Sequence, residues 1–136
     1  MSFKSGFVTI IGNPNVGKSS LFNAILNFEL SVVTHKPQTT RDSIKGILTT
    51  DNFQIVLSDT PGHVESSYLL HDKMNKKIYS SLEGSDLILY VTDVKEKKIN
   101  QKLIDAVIRL QIPIIYLVNK SDLDRSYKLI SNDLYK

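Results

Sequence analysis

Cysteine is absent from all 136 residues. That excludes a disulfide framework and a thiolate metal site, and it suits a reducing cytoplasm. No apolar run approaches the roughly 20 residues that span a bilayer. The first residues, MSFKSGFVTIIG, hold too short an apolar run for a secretory leader and lack a small-residue cleavage site, so none is expected. There is no internal repeat, no Gly/Ser linker and no low-complexity tract. Neither sign of charge dominates: 17 basic and 14 acidic residues leave a net +3. Such a balance permits a nucleic-acid partner without arguing for one. What remains, 41% hydrophobic and 23% charged, is the composition of one globular domain with a real core.

The pattern along the chain alternates strands and helices. Phe7–Ile11 reads as a buried strand. Ser19–Leu26 reads as a helix whose apolar face is Leu21, Phe22, Ile25 and Leu26. Phe28–Asp42, with Pro37 and a polar QTTRD, reads as a loop. Ile44–Thr50 and Phe53–Ser58 read as antiparallel strands around a tight Asp51-Asn52 turn. Tyr68–Leu82 has helical spacing, Leu87–Thr92 is a near-continuous apolar strand, and Lys102–Leu110 is a second amphipathic helix. Ile112–Val118 is the last clear strand, with Pro113 near its start where proline is tolerated, and Ser126–Tyr135 can form a short helix. Buried strands alternating with amphipathic helices predict an α/β fold, a mostly parallel central sheet with helices on both faces. Ligands of such sheets sit beyond the carboxyl ends of the strands.

Three unusual stretches fall at those ends. GNPNVGKSS runs through Gly12, Asn13, Pro14, Asn15, Val16, Gly17, Lys18, Ser19 and Ser20, and matches G-x-x-x-x-G-K-[ST]. Its glycines allow tight turns that aim backbone N–H groups at phosphate oxygens, and the following helix adds its unpaired donors. Lys18 can reach the β- and γ-phosphates, and the Ser19 hydroxyl can ligate Mg²⁺. The second stretch, LSDTPG, ends on Asp59, Thr60, Pro61 and Gly62. A carboxylate at Asp59 can hold Mg²⁺ directly or through water, and the Gly62 N–H can meet a γ-phosphate. The third, LVNKSD, carries Asn119, Lys120, Ser121 and Asp122. The Asp122 carboxylate can accept from both N1–H and the exocyclic amine of guanine, a donor pair adenine lacks. Asn119 can tie this turn to the phosphate loop, and the Lys120 stem can pack on the base. Each stretch alone can be an ordinary turn; the three in this order are far more specific.

GNPNVGKSSLFNAIL, PQTTRDSIKG, SDTPG and NKSD together resemble the Era family of bacterial Ras-like, phosphate-loop GTPases, from about Lys4 to Asp122. PQTTR before a strand ending in KG is the most discriminating part. The resemblance implies a Ras-like G domain that binds GTP or GDP with Mg²⁺ and hydrolyses GTP. It implies Thr40 as a mobile-loop ligand of Mg²⁺ beside Ser19 and Asp59, with Thr39 the competing choice. It further implies a role in maturing the small ribosomal subunit and its 16S rRNA, in a cytoplasmic, monomeric protein loosely associated with the inner face of the cell membrane. The RNA role in that family depends on a C-terminal KH-type domain. No KH-like GxxG loop is present in residues 1–136, and the G domain's own last strand and helix are expected to be missing as well. The expectation is therefore a single, C-terminally truncated Era-type GTPase domain.

Several residues keep two readings. His63, after DTPG, can orient an attacking water, which would set it beside Lys18, Thr40 and Gly62 as a catalytic candidate; it can equally be a solvent-facing loop residue. Asn15 resembles the asparagine of potassium-stimulated GTPases, or simply shapes its loop. KEKK at 95–98 reads as a solvated loop. His35 and His71 have no partner at ligand spacing. No built-in arginine finger is apparent, so intrinsic hydrolysis should be slow. The competing function is a nucleotide-binding module with impaired hydrolysis and no RNA role. An ATP-specific enzyme such as a kinase is disfavoured by NKSD.

Overall fold

Ile10 and Ile11 are consecutive and both fully buried. Side chains alternate faces along a strand, so the sheet must be covered on both sides. A computed structural model describes residues 2–27, 31–34, 44–60, 76, 78–96 and 99–123. Its strands are β1 (Lys4–Ile11), β2 (Ser31–Thr34), β3 (Ile44–Thr49), β4 (Phe53–Asp59), β5 (Leu87–Asp93) and β6 (Ile114–Asn119). They form one sheet in the order β2-β3-β4-β1-β5-β6. β4, β1, β5 and β6 run parallel, whereas β2-β3 and β3-β4 are antiparallel.

Helix α1 (Lys18–Leu26) covers one face. Its Phe22 and Leu26, one helical turn apart, pack with Val8, Ile10, Leu57 and Val91. Helix α2 (Gln101–Arg109) and a helical segment at 78–82 cover the other. There Leu103, Ile104 and Val107 join Ile78 and Leu82 over Ile11, Ile88 and Tyr90. Asn100 caps α2, its side chain accepting from the Leu103 N–H at 3.2 Å, a bond of a kind that contributes about 1 kcal/mol. The backbone N–H of Asn100 donates to the buried Tyr90 hydroxyl at 2.9 Å, which locks the helix start onto the sheet.

One expectation is corrected. The Phe28–Asp42 stretch contains strand β2, paired antiparallel with β3 from Ser31↔Leu48 to Thr34↔Lys45. Four residues are too few for a periodicity to register, and it is pairing with a neighbour that makes SVVT a strand. Asp59 consequently ends the fourth strand of the chain. The Ser126–Tyr135 helix and most of the Tyr68–Leu82 helix lie outside the described residues, although 78–82 is helical.

The register places the site. Ile10 is opposite Asp59, Ile11 opposite Tyr90, and Asp93 opposite Asn119. The carboxyl ends of β4, β1, β5 and β6 therefore stand side by side.

Candidate nucleotide site

The loop from Gly12 to Gly17 leaves β1 and enters α1. Gly12 (φ 149°), Asn15 (φ 64°) and Gly17 (φ 97°) have positive φ. Residues of alternating hand curl a chain so that successive N–H groups converge on an anion. A side chain at Gly12 would run into the Val91 carbonyl, and one at Gly17 into the Asn119 amide. Gly17 caps α1 without any side-chain hydrogen bond, and no acidic residue occupies the first turn. The helix donors are thus left for an incoming anion.

Lys18 is only 6% exposed, and its ammonium donates to the Asn13 carbonyl at 2.7 Å. Burial pulls its pKa down, against the opposing pull of Asp59 and Glu96. A buried cation held by a neutral carbonyl is poised for a phosphate.

From the first turn of α1 to the end of β4, the Ser19 hydroxyl donates to Asp59 Oδ2 at 2.8 Å. Asp59 is buried, and burial raises its pKa despite Ser19 and Lys18. Its Oδ1 is buried with no hydrogen-bond partner among the described residues. A hydroxyl beside a carboxylate with an orphaned oxygen is a hard-oxygen donor set that fits Mg²⁺. No group of three or more metal-ligating side chains occurs among the described residues. Thr60 fixes the strand end, its hydroxyl donating to the Ile10 carbonyl at 2.7 Å.

At the end of β6, Asn119 donates its amide to the Val16 carbonyl at 2.9 Å, joining residues 103 apart. Lys120, at φ 57°, donates to the Asn15 carbonyl at 2.7 Å and to Asp93 Oδ2 at 2.9 Å. Ser121 and Asp122 follow in a short 3-10 turn, Ser121–Leu123, and both are exposed. Val16 is buried, while Pro14, Asn15 and Ser20 are exposed. Thr40, Pro61, Gly62 and His63, with Thr39, His35 and His71, lie outside the described residues. A separate groove between the 78–82 segment and α2, lined by Tyr79, Glu83, Lys102 and Arg109 among others, includes none of the site residues.

Sequence reasoning missed the turn after β5. Glu96, read as part of a solvated charge run, accepts from the Asn13 amide and the Thr92 hydroxyl. Asp93 accepts from Lys120. The signal was weak because charge runs are usually solvated; a carboxylate directly after a buried parallel strand was the usable hint.

The Asp93–Lys120 pair has a pH signature. The Lys120 hydrogen bond is the main cause holding the Asp93 carboxyl below its ordinary 3.8. A depressed folded-state pKa adds stability that is complete above the unfolded value and is lost as pH falls through the folded one. The gap in thermal unfolding between the parent and Asp93→Asn should therefore be full at about pH 5 and above and close as the pH drops below about 4. A constant gap over that window would show that the ion pair contributes nothing through charge.

The glycine loop with its buried lysine, the Ser19–Asp59 pair and the NKSD turn, set at adjacent strand ends, define a protein of the phosphate-loop class with the Ras-like G-domain fold. The sequence model of the 50S ribosome-binding GTPase family matches residues 7–120, and the chain belongs to that family. It is 46% identical over 121 residues to GTPase Era of Clostridium kluyveri, covering 88% of this chain and 41% of the relative. Among solved structures, Era in complex with MgGDPNP and nucleotides 1506–1542 of 16S ribosomal RNA superposes with a TM-score of 0.74 at 34% identity. That match covers 89% of this chain and 42% of the other. A point variant of Aquifex aeolicus Era bound to GDP and AlF4⁻ gives a TM-score of 0.73 at 33% identity, covering 88% and 42%. The chain therefore spans well under half the length of these relatives.

Proposed function

We propose that this chain is the G domain of an Era-type GTPase, binding GTP and hydrolysing it to GDP and phosphate. The observation that carries the reading is the Asn119–Val16 hydrogen bond, which fixes the base-reading turn against the phosphate loop. The two halves of a guanine nucleotide then have one rigid cradle. Lys18 binds the β- and γ-phosphates, the loop and helix donors hold their oxygens, and Asp122 accepts from the guanine edge. Ser19 and Asp59, with Thr40, would hold Mg²⁺. Magnesium, when bound, offsets the charge that gathers on the transferring phosphoryl group.

In the wider role, the chain serves assembly of the small ribosomal subunit and maturation of its 16S rRNA. Homology to Era and the Era–16S RNA complex support this reading. We place it in the cytoplasm as a monomer with peripheral contact at the inner membrane face. No helix among the described residues is long and apolar enough to cross a membrane.

Single-turnover hydrolysis of labelled GTP, with protein in excess and Mg²⁺ present, tests the activity. GDP should appear slowly, at about 10⁻² s⁻¹ or below, as for GTPases acting without an arginine finger in trans. Excess ATP should not compete. The rate should be higher in KCl than in matched NaCl if Asn15 places a potassium ion at the phosphates. Absence of turnover overturns the enzyme reading, competition by ATP overturns the guanine reading, and equal rates in both salts leave Asn15 a loop-shaping role.

A further inference from the structure

The turn that follows β5 faces the phosphate loop with two carboxylates, and among the described residues Asp93 makes an ion pair, with Lys120, whereas Glu96 hydrogen-bonds to neutral groups. The turn is stiff in its own right. Asp93 Oδ1 accepts from the Lys95 N–H at 2.9 Å, and the Glu96 N–H donates to the Asp93 carbonyl at 3.0 Å. These bonds form an Asx turn inside a β-turn, which leaves residue 96 little freedom. From that position the Glu96 carboxylate accepts from the Thr92 hydroxyl with one oxygen and from the Asn13 amide with the other. Asn13 is thus held from two sides. Its side chain is fixed outward by Glu96, and its carbonyl faces inward to the Lys18 ammonium at 2.7 Å. Glu96 is partly buried, so the contact is sheltered from competition by water.

We propose that Glu96 is a positioning residue of the nucleotide site, holding the phosphate loop ready for nucleotide through the Asn13 amide. In this role Glu96 acts through Asn13 and not on the nucleotide itself. Pro14 has no N–H to anchor the tip of the loop, and Asn15 has positive φ. The loop therefore depends on its neighbours for its shape. Asp93 and Lys120 hold it at Asn15, and Glu96 holds it at Asn13. A loop that is shaped beforehand loses less entropy on binding, so the effect belongs to affinity and not to the chemical step. The proposal rests on the nucleotide-site reading above.

A double-mutant cycle tests it. Glu96→Ala and Asn13→Ala should each weaken GDP binding by about tenfold, the value of one charge-assisted hydrogen bond. The double variant should be no weaker than either single one, because both remove the same contact. Glu96→Gln should stay within about twofold of the parent, since its carbonyl still accepts from Asn13 and the Thr92 hydroxyl can turn to accept from its amide. The single-turnover rate at saturating GTP should not move in Glu96→Ala or Glu96→Gln. Amide hydrogen exchange at residues 13–19 of the nucleotide-free protein should speed up in Glu96→Ala and Asn13→Ala and stay at parent level in Glu96→Gln. Additive losses, an unchanged Glu96→Ala, or a Glu96→Gln as weak as Glu96→Ala would overturn the proposal. Failure of the parent to bind GDP would overturn the nucleotide reading instead, and the exchange rates would still decide whether Glu96 holds the loop.

Discussion

Lys18→Ala should lose guanine-nucleotide binding, by about a thousandfold or more in Kd, and should do so without unfolding the protein. The two halves of that result have one cause. Lys18 sits at 6% exposure with its ammonium on the Asn13 carbonyl, and burial lowers its pKa. Holding a charge in that place costs the folded state stability. The cost is recovered when phosphate oxygens arrive, because a charge-assisted bond in a sheltered site is stronger than one in water. Removing the ammonium relieves the first and forfeits the second. The nucleotide-free variant should melt at or above the parent's temperature, and the rise in Tm that GDP gives the parent should vanish. Unaltered GDP affinity would show that residues 12–20 do not cradle phosphate. A large fall in the apo Tm would show that Lys18 supports the fold itself.

Asp122→Asn should turn the site from guanine toward xanthine. Guanine presents two donors, N1–H and the exocyclic amine, and a carboxylate accepts from both. The amide of asparagine keeps one acceptor and sets a donor against the amine. Xanthine carries a carbonyl at that position, so the mismatch becomes a match. Leaving buried polar groups unpaired is what separates such ligands, and an exchange of about a hundredfold in the GTP-to-XTP preference is expected. Asp122 is exposed in the Ser121–Leu123 turn, so the substitution should leave Tm alone. Competition of GTP and XTP for the variant, followed by fluorescence of a labelled GDP, reads the ratio. A preference that does not move would remove Asp122 as the base reader.

Much of the site is legible in consecutive residues because its chemistry is local. The phosphate loop needs glycines where φ is positive, a helix that starts on it, and a lysine and hydroxyl on the first turn. All of these lie within Gly12–Ser20, and the structure gives Gly12 and Gly17 the backbone that the spacing demands. Alternation of apolar strands with amphipathic helices is likewise local, so the α/β class and the covered sheet follow from it. Phe22 and Leu26 could be placed in the core because four residues make a helical turn.

Partnership between distant segments was not legible. β2 is a strand because β3 lies beside it, and SVVT alone carries too little pattern to say so. Glu96 belongs to a charge run by composition, yet it holds Asn13, 83 residues away. The sequence by itself therefore determined which residues can meet phosphate, metal and guanine, and that a parallel sheet would present them. Tertiary structure decided which of them touch: Ser19 on Asp59, Asn119 on Val16, Lys120 between Asn15 and Asp93. The reason is physical. Backbone conformation and helix ends are set by neighbours along the chain, whereas strand order and register are set by how two apolar faces pack, and no single segment contains that information.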